Sequence, residues 1–321
     1  MKRDNFETIE ARAGRAGVAR QILSLMKKTV LAWLDDYAPS MGAALAYYTM
    51  FSIAPLLLIV ITIAGWVFGA EAARGEIVEQ LGGLMGEDGA KAVEGMLASI
   101  GKFGGNIWAT AFGILLLLFG ATTVLAELQS NLDRIWKVPQ KEQASGVWGF
   151  LRARLLSFGM ILGIAFLLMV SLLVSASIAA FGRWYGSYLG NYELVLQALD
   201  FVVSFFLFTC LFAMIYKFMP RARVAWRDVW IGAAFTTLLF IVGKTLIGLY
   251  IGKSGVASGF GAAASVVVML IWVYYSAQIF LLGAEFTHAY WQEIGSGRRQ
   301  SKSKVENRKA EGRSVPQKPS R

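Results

Sequence analysis

The sequence is poor in the residues that hold metals, disulfides and redox centres. Its 321 residues include one cysteine, Cys210, and one histidine, His288. A lone cysteine cannot close an internal disulfide. Cys210 lies in the apolar run FVVSFFLFTCLFAMIY, without acidic or histidine neighbours, and reads as a small buried residue. The carboxylates show no HxxEH or DxD spacing, and there is no GxxxxGK[ST], CxxC or dinucleotide fingerprint. The expectation is no metal, no nucleotide, no other cofactor and no catalytic residue: a protein that is not an enzyme. Charge is also scarce, with Asp, Glu, Lys and Arg making up 16% of the chain.

Apolar residues fill the space that charge leaves. The chain is 56% hydrophobic, with a mean hydropathy of +0.54, which is the balance of an integral membrane protein. Met41 to Gly69 contains no charged residue and is longer than the roughly 20 residues that cross a bilayer. Pro55 inside that run lacks a backbone donor and crowds the carbonyl of Phe51, so the helix is expected to kink or open there. Ser52, Tyr48 and Ala44 follow at steps of four on one face, a polar stripe that turns this helix toward the protein interior.

In chain order, residues 1–18 read as a charged, mobile cytoplasmic segment without a signal peptide. Residues 19–40 hold an amphipathic interfacial helix, with Ile22, Leu25, Met26, Val30 and Trp33 near one face. Six spans follow at about 41–69, 106–127, 155–181, 194–219, 229–251 and 262–290. An acidic, partly helical excursion at 70–104 separates the first two. The tail at 292–321 is basic and expected to be disordered. The fold class is an all-α membrane protein, a six-transmembrane-helix bundle with both termini cytoplasmic. No internal repeat is evident.

Orientation rests on Lys and Arg. Arg12, Arg15, Arg20, Lys27 and Lys28 precede the first span, Arg134, Lys137, Lys141, Arg152 and Arg154 follow the second, and Lys217, Arg221, Arg223 and Arg227 follow the fourth. The alternate loops hold only Arg74, Lys91, Lys102, Arg183 and Lys253, so the positive-inside rule puts both ends in the cytoplasm. The +10 net charge is a topology signal and an attraction to anionic lipid headgroups rather than a nucleic-acid patch.

Several stretches in fixed order resemble the YihY/BrkB family of bacterial inner-membrane proteins, once labelled ribonuclease BN. They are AALAYYTMFSIAPLLL in the first span, LDRIWKV after the second, MPRARVAWRDVWIGA at the fourth-to-fifth turn, GKTLIGLYI in the fifth, and GAAASVVVMLIWVYYSAQIFLLGAEFT in the sixth. The resemblance covers about Ala19 to Trp291 and implies a multi-pass protein of the cell inner membrane, with virulence-associated relatives. Where members commonly have Tyr-Gly-Ala, this chain has Phe260-Gly261-Ala262 and lacks that hydroxyl.

The old nuclease label fails on residues, because phosphodiester hydrolysis needs clustered metal ligands or a paired acid and base. Intramembrane charges are better clues. Lys244 falls about 6 Å, and Asp200 roughly 12 Å, to the exoplasmic side of the midplane, so an Asp200–Lys244 pair is expected. Tyr48, Ser52, Pro55, Asp200, Lys244 and Tyr250 are the candidates for a substrate site or pathway that takes an anionic headgroup or solute. Glu127, Arg154, Arg221, Arg223 and Glu285 are the candidates for ion pairs at the cytoplasmic face. There Glu285 is expected to find Arg154 or the turn from Arg221 to Arg227. Two functions fit: a transporter or lipid flippase without nucleotide hydrolysis of its own, or a membrane scaffold for envelope proteins.

Overall fold

The computed structural model describes residues 20–85, 94–95, 123–139, 192–222, 224–253 and 264–297. The regular elements among them are helices: α1 (20–35), α2 (Ala38–Phe68), α3 (Ala70–Met85), α4 (123–135), α5 (Tyr192–Phe218), α6 (Trp226–Lys253) and α7 (Ala264–Glu293). The second expected span is described only from residue 123, and the third lies outside the described residues. So do the segment 1–18, Phe260-Gly261-Ala262 and the tail from 298. Three described stretches are long and apolar enough to cross a bilayer: Phe201–Phe218, Trp226–Ile251 and Val266–Glu293.

The boundaries have local causes. Pro39 falls in the first turn of α2, where its missing N–H costs nothing and its fixed φ favours the helix. Gly69 ends α2 at φ +88°, which L side chains rarely adopt, while its N–H donates to Gly65 O. α2 therefore starts at Ala38 rather than Met41. It also runs unbroken past Pro55, so the expected opening there is not found. α5 stops at Phe218, just ahead of Pro220, whose ring disfavours helical geometry in the residue before it.

Among the described helices, α7 is the central one. It packs along α2 on one side and α6 on the other, with α5 against α6 and α3 against α2. Lipid offers apolar side chains as good a solvent as the protein does, so close packing and interhelical hydrogen bonds hold such helices together. Gly232 and Thr236 of α6 meet Gly283 and Thr287 of α7 reciprocally. A Cβ on Gly232 would sit 1.8 Å from Thr287 Oγ1, and one on Gly283 would sit 2.0 Å from Thr236 Oγ1. The Tyr216 hydroxyl of α5, fully buried, donates to Phe280 O of α7 at 2.7 Å and lies 3.0 Å from Thr236 Oγ1. Thr209 Oγ1 and Thr237 Oγ1 add a 3.1 Å contact between α5 and α6. Gly243 is packed against Ile279, whereas Gly248 faces open space.

In α1, Leu25 and Thr29 are buried against the bundle with Trp33 partly so, while Ile22 and Val30 point outward beside Leu23, Leu31 and Leu34. α1 is tied to the bundle at Lys28–Glu293 and, just past its end, at Asp36–Lys137.

Candidate functional site

The polar chemistry of the described residues concentrates at one end of the bundle. There the α1–α2 corner, the end of α4, the α5–α6 turn and the end of α7 meet. These elements bring together Lys28, Arg134, Lys137, Lys217 and Arg221, so this is the basic end.

Two backbone corners build it. α4 ends with Val138 N–H donating to Asp133 O and Lys137 N–H to Arg134 O, the Schellman arrangement, which places Lys137 in the left-handed region at φ 52°. Glycine is the usual residue there. α1 passes into α2 through Tyr37, left-handed at φ 58°. Among the described residues these are the two non-glycine positions with positive φ, and both flank one ion pair. Lys137 Nζ donates to Asp36 Oδ2 at 2.6 Å and also to Oδ1. The Asp36 side chain is 9% exposed and that of Lys137 60%, so the pair joins the interior to solvent. The Arg134 guanidinium lies over the Tyr37 ring, 5.6 Å from its centroid.

Glu285 of α7 sits behind this pair. It is 0% exposed, and neither carboxylate oxygen has a hydrogen-bond donor among the described residues. Asp36, Lys137 and Asp35 are the charged groups that act on it. One turn on, His288 packs against Trp136, their ring centroids 5.1 Å apart, and the Gln292 amide lies 2.9 Å from His288 Nε2. The indole N–H groups of Trp33 and Trp136 and the Asn131 amide are also buried without partners in the described structure.

A second set of contacts holds the α5–α6 turn to α4. Asp133 Oδ1 accepts from Arg221 N–H at 2.8 Å, Asp133 Oδ2 lies 3.6 Å from Arg221 Nη1, and Gln129 donates to Met219 O. Burial pushes the Asp133 carboxyl above its ordinary range, opposed by the Arg221 N–H and guanidinium. Asp228, at the start of α6, accepts from Ser296 N–H and Oγ–H beyond α7. Two stretches more than eighty residues apart, LDRIWKV and MPRARVAW, are thus bonded to each other.

Of the partners expected for Glu285, Arg221 is committed to Asp133, and among the described residues no hydrogen bond reaches the Glu285 carboxyl. Arg154 and Arg223 lie outside the described residues, and Glu127 is half-buried. The described pathway candidates fall on two helices. Ser52 is buried, with its hydroxyl donating to Thr49 O, and Tyr48 is half-buried against Tyr47. Both lie on α2, while Lys244, half-buried, and Tyr250, 55% exposed, lie on α6. α2 and α6 each pack along α7, and no hydrogen bond, ion pair or ring contact among the described residues joins the two sets. The side chains of Pro55 and Asp200 lie outside the described set, so the Asp200–Lys244 pair does too.

Sequence reasoning missed Asp36 and Lys137. The available signals were an acidic residue at the edge of a charge-free helix and a lysine two residues before Pro139, at a helix stop. Chemically, the site offers buried carboxylates beside one solvent-reaching ammonium. Among the described residues no three His, Cys, Asp or Glu side chains are grouped to hold a metal ion. The donor set suits protons and hydrogen-bonded groups.

Known proteins share this sequence pattern. A family profile described as virulence factor BrkB matches residues 29–308. The chain is 28% identical over 251 residues to the UPF0761 membrane protein of Acinetobacter baylyi, covering 77% of this chain and 57% of that one. It is 28% identical over 261 residues to that of Tolumonas auensis, covering 78% and 80%. It is 29% identical over 255 residues to that of Pseudomonas aeruginosa, covering 78% and 59%. The matched region is thus little more than half the length of the Acinetobacter and Pseudomonas relatives. No solved structure matches.

Proposed function

The chain belongs to the virulence factor BrkB family of membrane proteins, and on that premise we propose that it is a transport protein of the bacterial inner membrane. In this reading it has six spans and both termini in the cytoplasm. It moves an anionic lipid or solute and performs no catalysis or nucleotide hydrolysis of its own.

The observation that carries the reading is Glu285. An ionisable side chain in a helix long and apolar enough to span is expensive, and such groups face a partner, a cavity or a pathway. Glu285 is fully buried, and among the described residues it finds none of the donors that a purely structural carboxylate collects. Support for an anionic substrate comes from Lys244, half-buried inside α6, and from the basic end, which attracts anionic headgroups.

Two assays on the same proteoliposomes test this. One follows transbilayer movement of fluorescent phosphatidylglycerol, and the other measures currents evoked by anionic solutes under an imposed pH gradient. Activity in either assay that falls at least tenfold in Glu285→Ala is the expected result. No activity in both, with folded and inserted protein, overturns transport and leaves the scaffold for envelope proteins.

A further inference from the structure

The apolar stretch of α5 ends at Phe218 and that of α6 begins at Trp226, so the turn between them lies where hydrocarbon gives way to headgroups. Phe218 and Trp226 meet edge to face there, their ring centroids 5.7 Å apart, and both are exposed. One turn along α6, Trp230 is stacked on Phe206 of α5 at 6.2 Å, and these rings are exposed too. Leu238 and Val242 continue the exposed apolar side of α6 into the span.

The cation at the head of this track is Lys217, in the last turn of α5. Its Nζ donates to Val224 O across the turn and lies 5.4 Å from the centroid of the Trp226 ring. A carbonyl and a ring fix the position of the ammonium without neutralising it, since neither carries a formal charge. An ammonium has three N–H donors, and the Val224 carbonyl takes one of them. Arg227 is exposed on the next residue of α6, and 226, 227 and 230 fall within an arc of about 100° on a helix, so its side chain leaves α6 on the side of the two indoles. The acids of this corner have other partners: Asp228 accepts from Ser296, and Asp133 binds Arg221.

We propose that the α5–α6 turn is a binding site for an anionic phospholipid. Lys217 binds the phosphate, Arg227 supplies the second positive charge, and the acyl chains lie over Trp226, Trp230 and the exposed apolar side of α6. An apolar track that starts at a fixed cation and leads into a span matches a ligand with an anionic head and a hydrocarbon tail. A free phosphate covers none of that track. A zwitterionic lipid brings its own ammonium against two cations, so phosphatidylglycerol is favoured over phosphatidylcholine. The lipid is a resident ligand and not cargo, so the site stands whether or not the protein transports and whichever leaflet the basic end faces. By bridging the end of α5 and the start of α6, it secures the turn that Asp133 anchors to α4.

Native mass spectrometry of the full-length protein, from micelles holding equal phosphatidylglycerol and phosphatidylcholine, tests the site. The wild type is expected to retain phosphatidylglycerol in preference. Lys217→Met is expected to weaken that preference roughly tenfold, as the loss of a hydrogen bond to a charged group does. Arg227→Gln, at an exposed position, should act in the same direction and carries the test if Lys217→Met does not fold. Lys27→Met removes the same charge from an exposed position of α1 and should leave the preference unchanged. Thermal melts in phosphatidylcholine micelles show which variants are folded. A wild type without the preference overturns the proposal, as does a folded Lys217→Met or Arg227→Gln that keeps it. An equal loss in Lys27→Met means diffuse attraction and no site. Displacement of the lipid by the same concentration of inorganic phosphate means a free-anion site, and overturns the lipid as its occupant.

Discussion

Lys137 donates to both carboxylate oxygens of Asp36 from a left-handed backbone position at the end of α4, and Asp36 itself precedes the left-handed Tyr37. A charged side chain thus occupies a cap where glycine is the unstrained choice. Strain of this kind is retained where the surrounding structure holds it in place.

Replacing Lys137 separates the cap from the charge. Lys137→Met removes the ammonium and keeps the strained φ, whereas Lys137→Gly removes both. Losing hydrogen bonds to a charged group is expected to cost roughly 1–3 kcal/mol in each variant. Lys137→Gly should recover up to about 1 kcal/mol of that through the cap. Equilibrium unfolding in mixed micelles measures the difference. Equal stabilities would mean that the backbone at 137 carries no strain.

Gly283 and Gly232 set the distance between α6 and α7. The nearest atoms to a Cβ at Gly283 are Thr236 Oγ1 at 2.0 Å and Tyr216 OH at 2.7 Å, both committed to hydrogen bonds. Gly283→Ala is expected to cost roughly 1–3 kcal/mol through overpacking. Gly248→Ala, with nothing within 4 Å, should be neutral or slightly stabilising. Thermal melts of the two variants check the contrast, and similar melting temperatures would refute it.

Asp133 provides a pH test outside the spans. Its carboxyl is raised above the ordinary 3.8 by burial, so the folded state binds that proton more tightly than the unfolded chain. The stability this contributes is fully present below pH 3.8 and is lost as pH rises through the higher folded value. Asp133→Asn should flatten this part of the profile. The measurement is melting temperature against pH for both proteins. A wild type that gains stability relative to the variant across that window contradicts the shift.

Lys244 tests whether α6 faces water within the membrane. In a Cys210→Ala background, Lys244→Cys is expected to react with an impermeant maleimide from one side. Leu246→Cys, on a 54% exposed apolar position, is expected to stay unlabelled because a thiol in lipid does not ionise. Protection of Lys244→Cys from both sides in folded protein would remove it from any pathway.

Much of the scaffold is determined by the sequence alone, because it depends on interactions within one segment. The absence of charge from Met41 to Gly69, Pro39 in the first turn of α2, Gly69 at its end and Pro220 after α5 are local facts with local consequences. The same holds for the three apolar helices long enough to span. The site is different. Asp36 and Lys137 are 101 residues apart, and each lies at a helix end that looks unremarkable by itself. Glu285 has basic residues at many sequence distances, and only packing decides which it meets. α7 packs against α6 with Gly283 on Thr236 and against α2 with Gln278 on Gly42, while Arg221 meets Asp133. Periodicity ranks the faces of α1 by hydrophobicity. Which residues of α1 are buried, Leu25 and Thr29 but not Ile22 or Val30, depends on contacts with distant helices that no single segment encodes.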